Sequence, residues 1–70
     1  MSNNDTLKDA GLKVTHPRSE ILDILQANPE MHLSADEIHN KLVDNKQSIG
    51  LATVYRVLTQ LEIAGLIQKN

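Results

Sequence analysis

The stretch at residues 50–65, GLATVYRVLTQLEIAG, constrains the fold more than any other part of the chain. At about 100° per residue its apolar side chains fall within about 60° of one direction, the arc that a core-facing helix needs. These side chains are Leu51, Val54, Val57, Leu58 and Leu61. Gly65 stands just past the last periodic residue and can adopt the left-handed conformation that commonly ends a helix. The pattern therefore predicts a helix over residues 50–64 with one buried face.

The opposite face of this helix has the chemistry of a binding surface. It carries small, hydroxylated and singly positive residues around one aromatic: Ala52, Thr53, Tyr55, Arg56 and Thr59. No acidic residue occurs before Glu62, whereas an ordinary solvated face mixes charges of both signs. We therefore interpret it as a recognition helix. The plainer alternatives are a solvated surface charge for Arg56 and a structural role for Tyr55 over the turn between helices.

The length and composition exclude several classes of function. Seventy residues make one small domain, which buries only about 60% of its unfolded surface and has little room for a substrate pocket. The residues are 40% hydrophobic and 23% charged, as in globular proteins. Cysteine is absent, which excludes disulfides and thiolate metal sites in these residues. Without a cysteine nucleophile or a glycine-rich phosphate loop, we expect no enzyme.

The charge pattern and the absence of membrane signals bear on partners and location. No apolar run approaches the roughly 18 residues of a membrane span, and the polar start is no signal peptide, so the cytoplasm is expected. A net charge of −2 argues mildly against nucleic acid. However, four of the seven positive charges come from separate segments that could share one face: Lys8, Lys13, Arg18 and Arg56. We therefore expect a basic face on an acidic domain, with Asp36, Glu37 and Asp44 on another helix.

Three shorter helices are predicted before the 50–64 helix. The first spans residues 4–10, with Asn3 or Asn4 as its cap and Gly11 as its terminator. The second begins at residue 15 or 16, because Pro17 suits a first turn, and it stops at residues 28–29; its buried face is Ile21, Leu22, Ile24 and Leu25. The third starts at a Ser34–Glu37 capping box. Its expected core residues are Ala35, Ile38, Leu42 and Val43.

The last two helices predict a helix-turn-helix with a longer connection than the usual 3–4 residues. Such a connection is common in winged-helix domains, where a β-hairpin follows the recognition helix. Residues 66–70 change to strand-like spacing and the chain stops there, so we expect a truncated form of a longer protein. Leu66 and Ile67 would then lack strand partners and could form an association patch. Ile63 is an exposed apolar residue that helical spacing does not explain.

Three segments closely resemble the ferric uptake regulator (Fur) family of bacterial metal-responsive repressors: AGLKVT-x-PR at 10–18, HLSADEIHNKL at 32–42 and IGLATVYRVLTQLEIAGL at 49–66. The resemblance covers nearly all 70 residues, and ATVYR at 52–56 with the upstream KVT-x-PR is specific. It implies a mainly α, winged helix-turn-helix DNA-binding domain of four helices over residues 1–70. The β-wing would be truncated after residue 70, and the dimerisation and metal-binding domain would be absent.

The resemblance also implies roles for individual residues on DNA. The 50–64 helix would enter the major groove, with Tyr55 on thymine methyl groups and Arg56 on guanine or a phosphate. Thr53 would contact a phosphate, Arg18 the DNA backbone, and Lys13 the minor groove. For the residues of the 50–64 helix the chemistry supports these roles independently. An arginine fork suits guanine, hydroxyls at a helix N-terminus favour a phosphate, and a tyrosine ring offers apolar area for a methyl group. The minor-groove role of the lysine rests on the resemblance, and narrow A·T-rich DNA is strongly negative there.

Some of these residues have plainer interpretations. A local salt bridge from Arg18 to Asp23 or Glu20 is the alternative to a DNA contact, and the lysine at 13 is ambiguous on chemistry alone. His16 and His39 have no motif support and are expected to be surface residues.

His32 matches the one metal-ligand histidine that the DNA-binding domain contributes to the family's regulatory site. Its partners lie beyond residue 70, so no cofactor and no tightly held metal are expected in this chain. The full-length protein would bind a divalent metal, Fe²⁺ in the cell with Zn²⁺ as an alternative. It would act in iron homeostasis as a homodimer on an inverted-repeat, A·T-rich operator. The 70-residue chain would be a monomer that binds DNA weakly.

A second class of function uses the same exposed face differently. The chain could be a helical protein-interaction module whose partner is another protein. Ionic strength discriminates the two hypotheses, because binding through phosphates weakens steeply with salt and binding through an aliphatic interface does not.

Overall fold

The computed structural model describes residues 3–28 and 32–67, and within these ranges it contains four helices and no β-strand. The helices are α1 (Asn3–Asp9), α2 (His16–Ala27), α3 (Ala35–Asp44) and α4 (Leu51–Ile63). All four agree in number and position with the sequence predictions, and the mainly α fold class is confirmed. The first helix begins one residue earlier than expected, so Asn3 and Asn4 lie inside it and the predicted cap is wrong.

The helix starts follow from local side-chain hydrogen bonds. The Thr15 hydroxyl accepts the Arg18 N–H at 3.3 Å, and Pro17 occupies the first turn of α2. At the start of α3 the Glu37 N–H donates to the Ser34 hydroxyl at 3.2 Å, and the Glu37 carboxylate accepts the Ser34 N–H at 3.1 Å. The predicted capping box is therefore confirmed, and it fixes where α3 begins.

Left-handed residues end α1, α3 and α4 in the same way. Gly11 has φ of +79°, Gly65 has φ of +77° and Lys46 has φ of +60°. In the last case the Lys46 N–H donates to the Val43 carbonyl at 2.9 Å and the following N–H to the Leu42 carbonyl at 2.8 Å. These paired bonds satisfy carbonyls that the helix leaves open. Glycine adopts this conformation at no steric cost, whereas lysine is strained in it.

The core is aliphatic and receives side chains from all four helices and the α3–α4 connection. Its buried members are Leu7, Ile21, Leu22, Ile24, Ala35, Ile38, Leu42, Ile49, Val54, Val57 and Leu61. Helix α4 packs against both α2 and α3, and α1 packs against α2. The fully buried Leu7 anchors α1, which has too few apolar residues to be stable alone.

Two sequence predictions about apolar residues are wrong. Val43 was expected in the core but is 55% exposed, because it lies about 140° around the helix from Ile38 while Leu42 lies only about 40° away. Leu66 and Ile67 form a bend and pack partly buried against the core, instead of starting a strand or leaving an open patch. Residues 68–70 of the expected hairpin lie outside the described residues. Ile63 is 83% exposed, as predicted.

No described helix combines the length and hydropathy that crossing a membrane requires.

Candidate nucleic-acid interface

The outward face of α4 is set by the residues on its inward face. Val54, Val57 and Leu61 are buried between α2 and α3 and prevent the helix from rotating about its axis. Leu51 and Leu58 are partly buried at the sides of the same stripe. The predicted apolar face is therefore confirmed. Ala52, Arg56 and Thr59 consequently point to solvent.

Arg56 is exposed on this face and has no hydrogen bond or ion pair with any residue of 3–28 or 32–67. A guanidinium has five N–H donors in a rigid fork. All five are therefore available to an external acceptor. Among the residues of α4 itself, the first carboxylate is that of Glu62, almost two turns further on. Within residues 3–28 and 32–67, the arginine is thus displayed without a neutralising partner.

Tyr55 lies next to Arg56 and leaves 55% of its surface exposed. Its backbone carbonyl accepts a hydrogen bond from the exposed Thr59 hydroxyl at 3.0 Å, and this bond does not involve the tyrosine ring. The ring therefore offers an apolar face and a polar tip to a partner.

The N-terminal end of α4 is open to an acceptor. Gly50 is the N-cap, makes no side-chain hydrogen bond, and is followed by no acidic residue in the first turn. The first N–H groups of a helix have no intrahelical acceptor and carry the positive end of the helix dipole. Thr53, half-buried in this turn, places a hydroxyl beside those groups.

Arg18 is half-buried and bonds to α4 and to the loop before α2 instead of pairing with a neighbouring carboxylate. Its Nε donates to Oε1 of Gln60 at 3.0 Å, and its Nη1 donates to the Lys13 carbonyl at 2.8 Å. The alternative of a salt bridge to Asp23 or Glu20 is therefore wrong for the described residues. Arg18 lies in the first turn of α2, which packs against α4, and its guanidinium reaches Gln60 there. Contact between Arg18 and the DNA backbone stays a prediction.

Lys13 lies exposed in the loop between α1 and α2. Because its carbonyl is bonded to Arg18, and Arg18 is bonded to α4, the loop and the helix are linked by one chain of hydrogen bonds. Three of the five predicted DNA-binding residues, Thr53, Tyr55 and Arg56, lie on α4, and this chain joins the other two to the same helix. Gln60 completes the link, and sequence reasoning missed it. As a neutral amide 42 positions from Arg18, it gave no signal in the sequence.

His16 has a contact that the sequence analysis did not predict. It is exposed, but its Nε2 lies 2.7 Å from Oε1 of Gln47, in the connection between α3 and α4. Its Nδ1 lies 4.0 Å from the Glu20 carboxylate. The start of α2 is therefore tied to the segment just before α4. His39 is half-buried on α3.

His32 is exposed just before the N-cap of α3. Within the described residues, no group of three or more histidine, cysteine, aspartate or glutamate side chains could hold a metal ion. One imidazole does not make a divalent-metal site, which needs several ligands. The side chains described here therefore do not form a metal site by themselves, and a role for His32 as one ligand stays a prediction.

Comparison with known proteins places this arrangement in a family. The Ferric uptake regulator family matches residues 9–70. The "Ferric uptake regulation protein" of Vibrio cholerae is 54% identical over 68 residues, which are 97% of this chain and 45% of that protein.

Solved structures agree with the sequence relatives. The crystal structure of the Vibrio cholerae ferric uptake regulator, described as revealing rearrangement of its DNA-binding domains, has a TM-score of 0.93 at 54% identity. It matches over 99% of this chain and 53% of its own. A Pseudomonas aeruginosa ferric uptake regulator with manganese also has a TM-score of 0.93, at 47% identity over 100% of this chain and 52% of its own.

The chain spans about half the length of the relatives it matches. The names of these relatives describe regulators and not enzymes, in agreement with the sequence prediction that this chain is not an enzyme. The family match covers residues 9–70 of this 70-residue chain. The Vibrio cholerae structure superimposes on the four-helix fold and has about half of its aligned residues identical to this chain. The chain therefore belongs to the ferric uptake regulator family.

Proposed function

We propose that this chain is the DNA-binding domain of a metal-responsive transcriptional repressor, and that α4 lies in the major groove of its operator. One observation carries the proposal: Arg56 and Tyr55 are exposed side by side on a helix whose opposite face is locked in the core. The guanidinium has no partner among the described residues. A rigid helix that displays such a pair is suited to reading base edges.

The two side chains provide complementary kinds of base contact. The Arg56 fork matches the O6 and N7 acceptors of guanine, a contact that provides about 1–3 kcal/mol of discrimination. It can instead hold a phosphate, and the choice depends on how deeply α4 enters the groove. The Tyr55 ring presents apolar area to a thymine methyl group. Together they would select a short sequence in which thymine and guanine lie close to each other.

Phosphate contacts would fix the register of α4 on the duplex. The N–H groups in the first turn of α4, together with the Thr53 hydroxyl, form a donor cluster that suits an anionic oxygen. Arg18 uses its Nε and one Nη1 hydrogen bond inside the protein, which leaves further N–H donors for the DNA backbone. Lys13 would extend into the adjacent minor groove, where A·T-rich DNA is narrow and strongly negative.

The properties of the full-length protein belong to the same proposal. Its relatives are about twice as long, and the Pseudomonas aeruginosa structure contains manganese. We place the divalent-metal site, with His32 as one ligand and Fe²⁺ as the cellular metal, at the junction with a following domain that also makes the homodimer. The dimer would bind an A·T-rich inverted repeat in the cytoplasm and repress genes of iron homeostasis.

A salt titration tests the proposal against the protein-interaction alternative. Binding of the 70-residue chain to an A·T-rich inverted-repeat duplex is measured by fluorescence anisotropy from low to physiological salt, beside a scrambled duplex. Two to three phosphate contacts predict a slope of about −1.8 to −2.7 in log K against log salt. Affinity would then fall about 10- to 40-fold between 50 and 200 mM salt.

Absence of binding to either duplex at low salt, for this chain and for the full-length protein alike, would reject the DNA-binding proposal. Sedimentation of the 70-residue chain should show a monomer. A stable dimer would contradict the proposal that dimerisation depends on the following domain.

A further inference from the structure

We propose that Gln60 is a positioning residue: through Arg18 it fixes the separation between the loop that carries Lys13 and the helix that carries Arg56. The inference rests on the proposed function, because it concerns how two DNA-contacting segments are kept in register. It assigns a role to Gln60 that does not depend on direct contact between this side chain and DNA.

The geometry consists of two hydrogen bonds that share one guanidinium. Oε1 of Gln60 accepts from Nε of Arg18 at 3.0 Å, across 42 positions of sequence. Nη1 of the same arginine donates to the Lys13 carbonyl at 2.8 Å. Since the guanidinium is planar and rigid, the two acceptors are held at a fixed separation and orientation. A movement of Gln60 is therefore transmitted to the Lys13 backbone.

The environment makes this arrangement difficult to replace. Arg18 is half-buried between α2 and α4, where an N–H of a charged group that loses its acceptor is unfavourable. No carboxylate in the described residues forms an ion pair with it. If Gln60 lost its amide, the Arg18 Nε–H would lose its acceptor in the structure, and the guanidinium would be less firmly held in the position from which it donates to the Lys13 carbonyl.

The tie matters because the loop and the helix serve different grooves. Lys13 must enter the minor groove while α4 occupies the neighbouring major groove, so their separation has to match that of the grooves. A loop that is already held in this position avoids an ordering cost on binding, which is the advantage of preorganisation. Half-buried Leu12 and Val14 anchor the loop on either side. The Arg18 bond fixes the backbone between them.

The test uses a pair of variants with opposite hydrogen-bonding capacity. Gln60→Leu keeps much of the side-chain volume and removes the acceptor, whereas Gln60→Glu keeps an acceptor for the Arg18 Nε–H. Each is measured on two duplexes that share the bases under α4 but differ in the flank under Lys13, one A·T-rich and one G·C-rich. The readout is the ratio of the affinities for the two duplexes. The negative charge that Gln60→Glu adds weakens binding to both duplexes alike, so its effect cancels in this ratio.

We expect Gln60→Leu to weaken binding to the A·T-flanked duplex about 10-fold, which corresponds to about 1.4 kcal/mol. Its binding to the G·C-flanked duplex should change less than about 3-fold, since the major-groove contacts remain. Gln60→Glu should restore the ratio, as a merely space-filling role would not. Thermal unfolding of each variant shows that it is folded. A Gln60→Leu variant that keeps the wild-type ratio, or a Gln60→Glu variant that does not restore it, overturns the inference.

Nuclear magnetic resonance without DNA separates this inference from the proposed function. In Gln60→Leu the Arg18 Nε–H signal should shift and exchange faster, and the Val14 amide signal should shift because its peptide group contains the Lys13 carbonyl. In Gln60→Glu both signals should return towards their wild-type positions. If the wild-type protein binds neither duplex, the proposed function fails and these signals alone decide whether the tie exists. Unchanged signals in Gln60→Leu would overturn the tie itself.

Discussion

Lys46 adopts the left-handed backbone conformation that suits glycine. A glycine at this position should therefore make the protein more stable than an alanine does. Its φ is +60°, and its N–H closes the turn that ends α3 by donating to the Val43 carbonyl at 2.9 Å. The side chain is exposed and has no hydrogen bond or ion pair within the described residues. A substitution at this position should therefore change the stability only through the presence or absence of a Cβ atom and through the loss of the positive charge.

The magnitude follows from comparing two substitutions at this position. Both Lys46→Gly and Lys46→Ala remove the charge near the C-terminal end of α3, so that contribution cancels between them. The left-handed conformation costs an L-residue about 1–2 kcal/mol. Glycine avoids this cost, but it gives the unfolded chain more conformational entropy, which offsets about 0.4–1 kcal/mol of the gain. Lys46→Gly should therefore be more stable than Lys46→Ala by about 0.5–1 kcal/mol, or about 3–6 °C in melting temperature.

Urea unfolding followed by circular dichroism measures this difference. Gly65→Ala provides the complementary case, because Gly65 has φ of +77° with open space around its Cα; it should destabilise the protein by about 1 kcal/mol. An alanine variant at position 46 as stable as the glycine variant would show that the α3 turn relaxes and that the strain inferred from its φ is absent.

Three further substitutions test the packing and the helix ends. Leu61→Ala, at a fully buried site on α4, should cost about 2–5 kcal/mol, a large part of the stability of so small a domain; calorimetry showing a smaller loss would contradict the central place of Leu61 in the core. Ser34→Ala should cost about 1 kcal/mol by removing one half of the capping box, with an unchanged melting temperature as the refuting result. Ile63→Lys, at 83% exposure, should change stability by less than about 0.5 kcal/mol; a large loss would reveal a buried contact at this site.

The fold could be predicted from the sequence where local rules and burial agree. The α4 stripe, the start of α2 at Pro17, the Ser34 capping box and the glycine turns each depend on a few adjacent residues, and the structure contains all of them. Val43 was the exception, because grouping it with its neighbour Leu42 overlooked that it lies about 140° around the helix from Ile38.

The exposure of the candidate residues on α4 could be predicted from the sequence, but the hydrogen bonds of the other candidate residues could not. Arg56 and Tyr55 follow from helical spacing, since burial of one side of α4 requires exposure of the other. The partners of Arg18 and His16, by contrast, are Gln60 and Gln47, which are distant in sequence. Neutral amides carry no charge pattern that identifies a partner, whereas the nearby carboxylates suggested a salt bridge that the structure does not contain.

The most direct test of the account measures base discrimination by Arg56. Affinities for an A·T-rich inverted-repeat duplex and a scrambled duplex of equal composition are compared for the wild type, Arg56→Ala and Lys41→Ala. Lys41 is the matched control because it lines a groove between α2 and α3 to which α4 contributes no residue. The account predicts that Arg56→Ala loses about 1–3 kcal/mol of discrimination while Lys41→Ala keeps it. Equal discrimination by the wild type and Arg56→Ala would contradict the assignment of α4 as the helix that reads DNA.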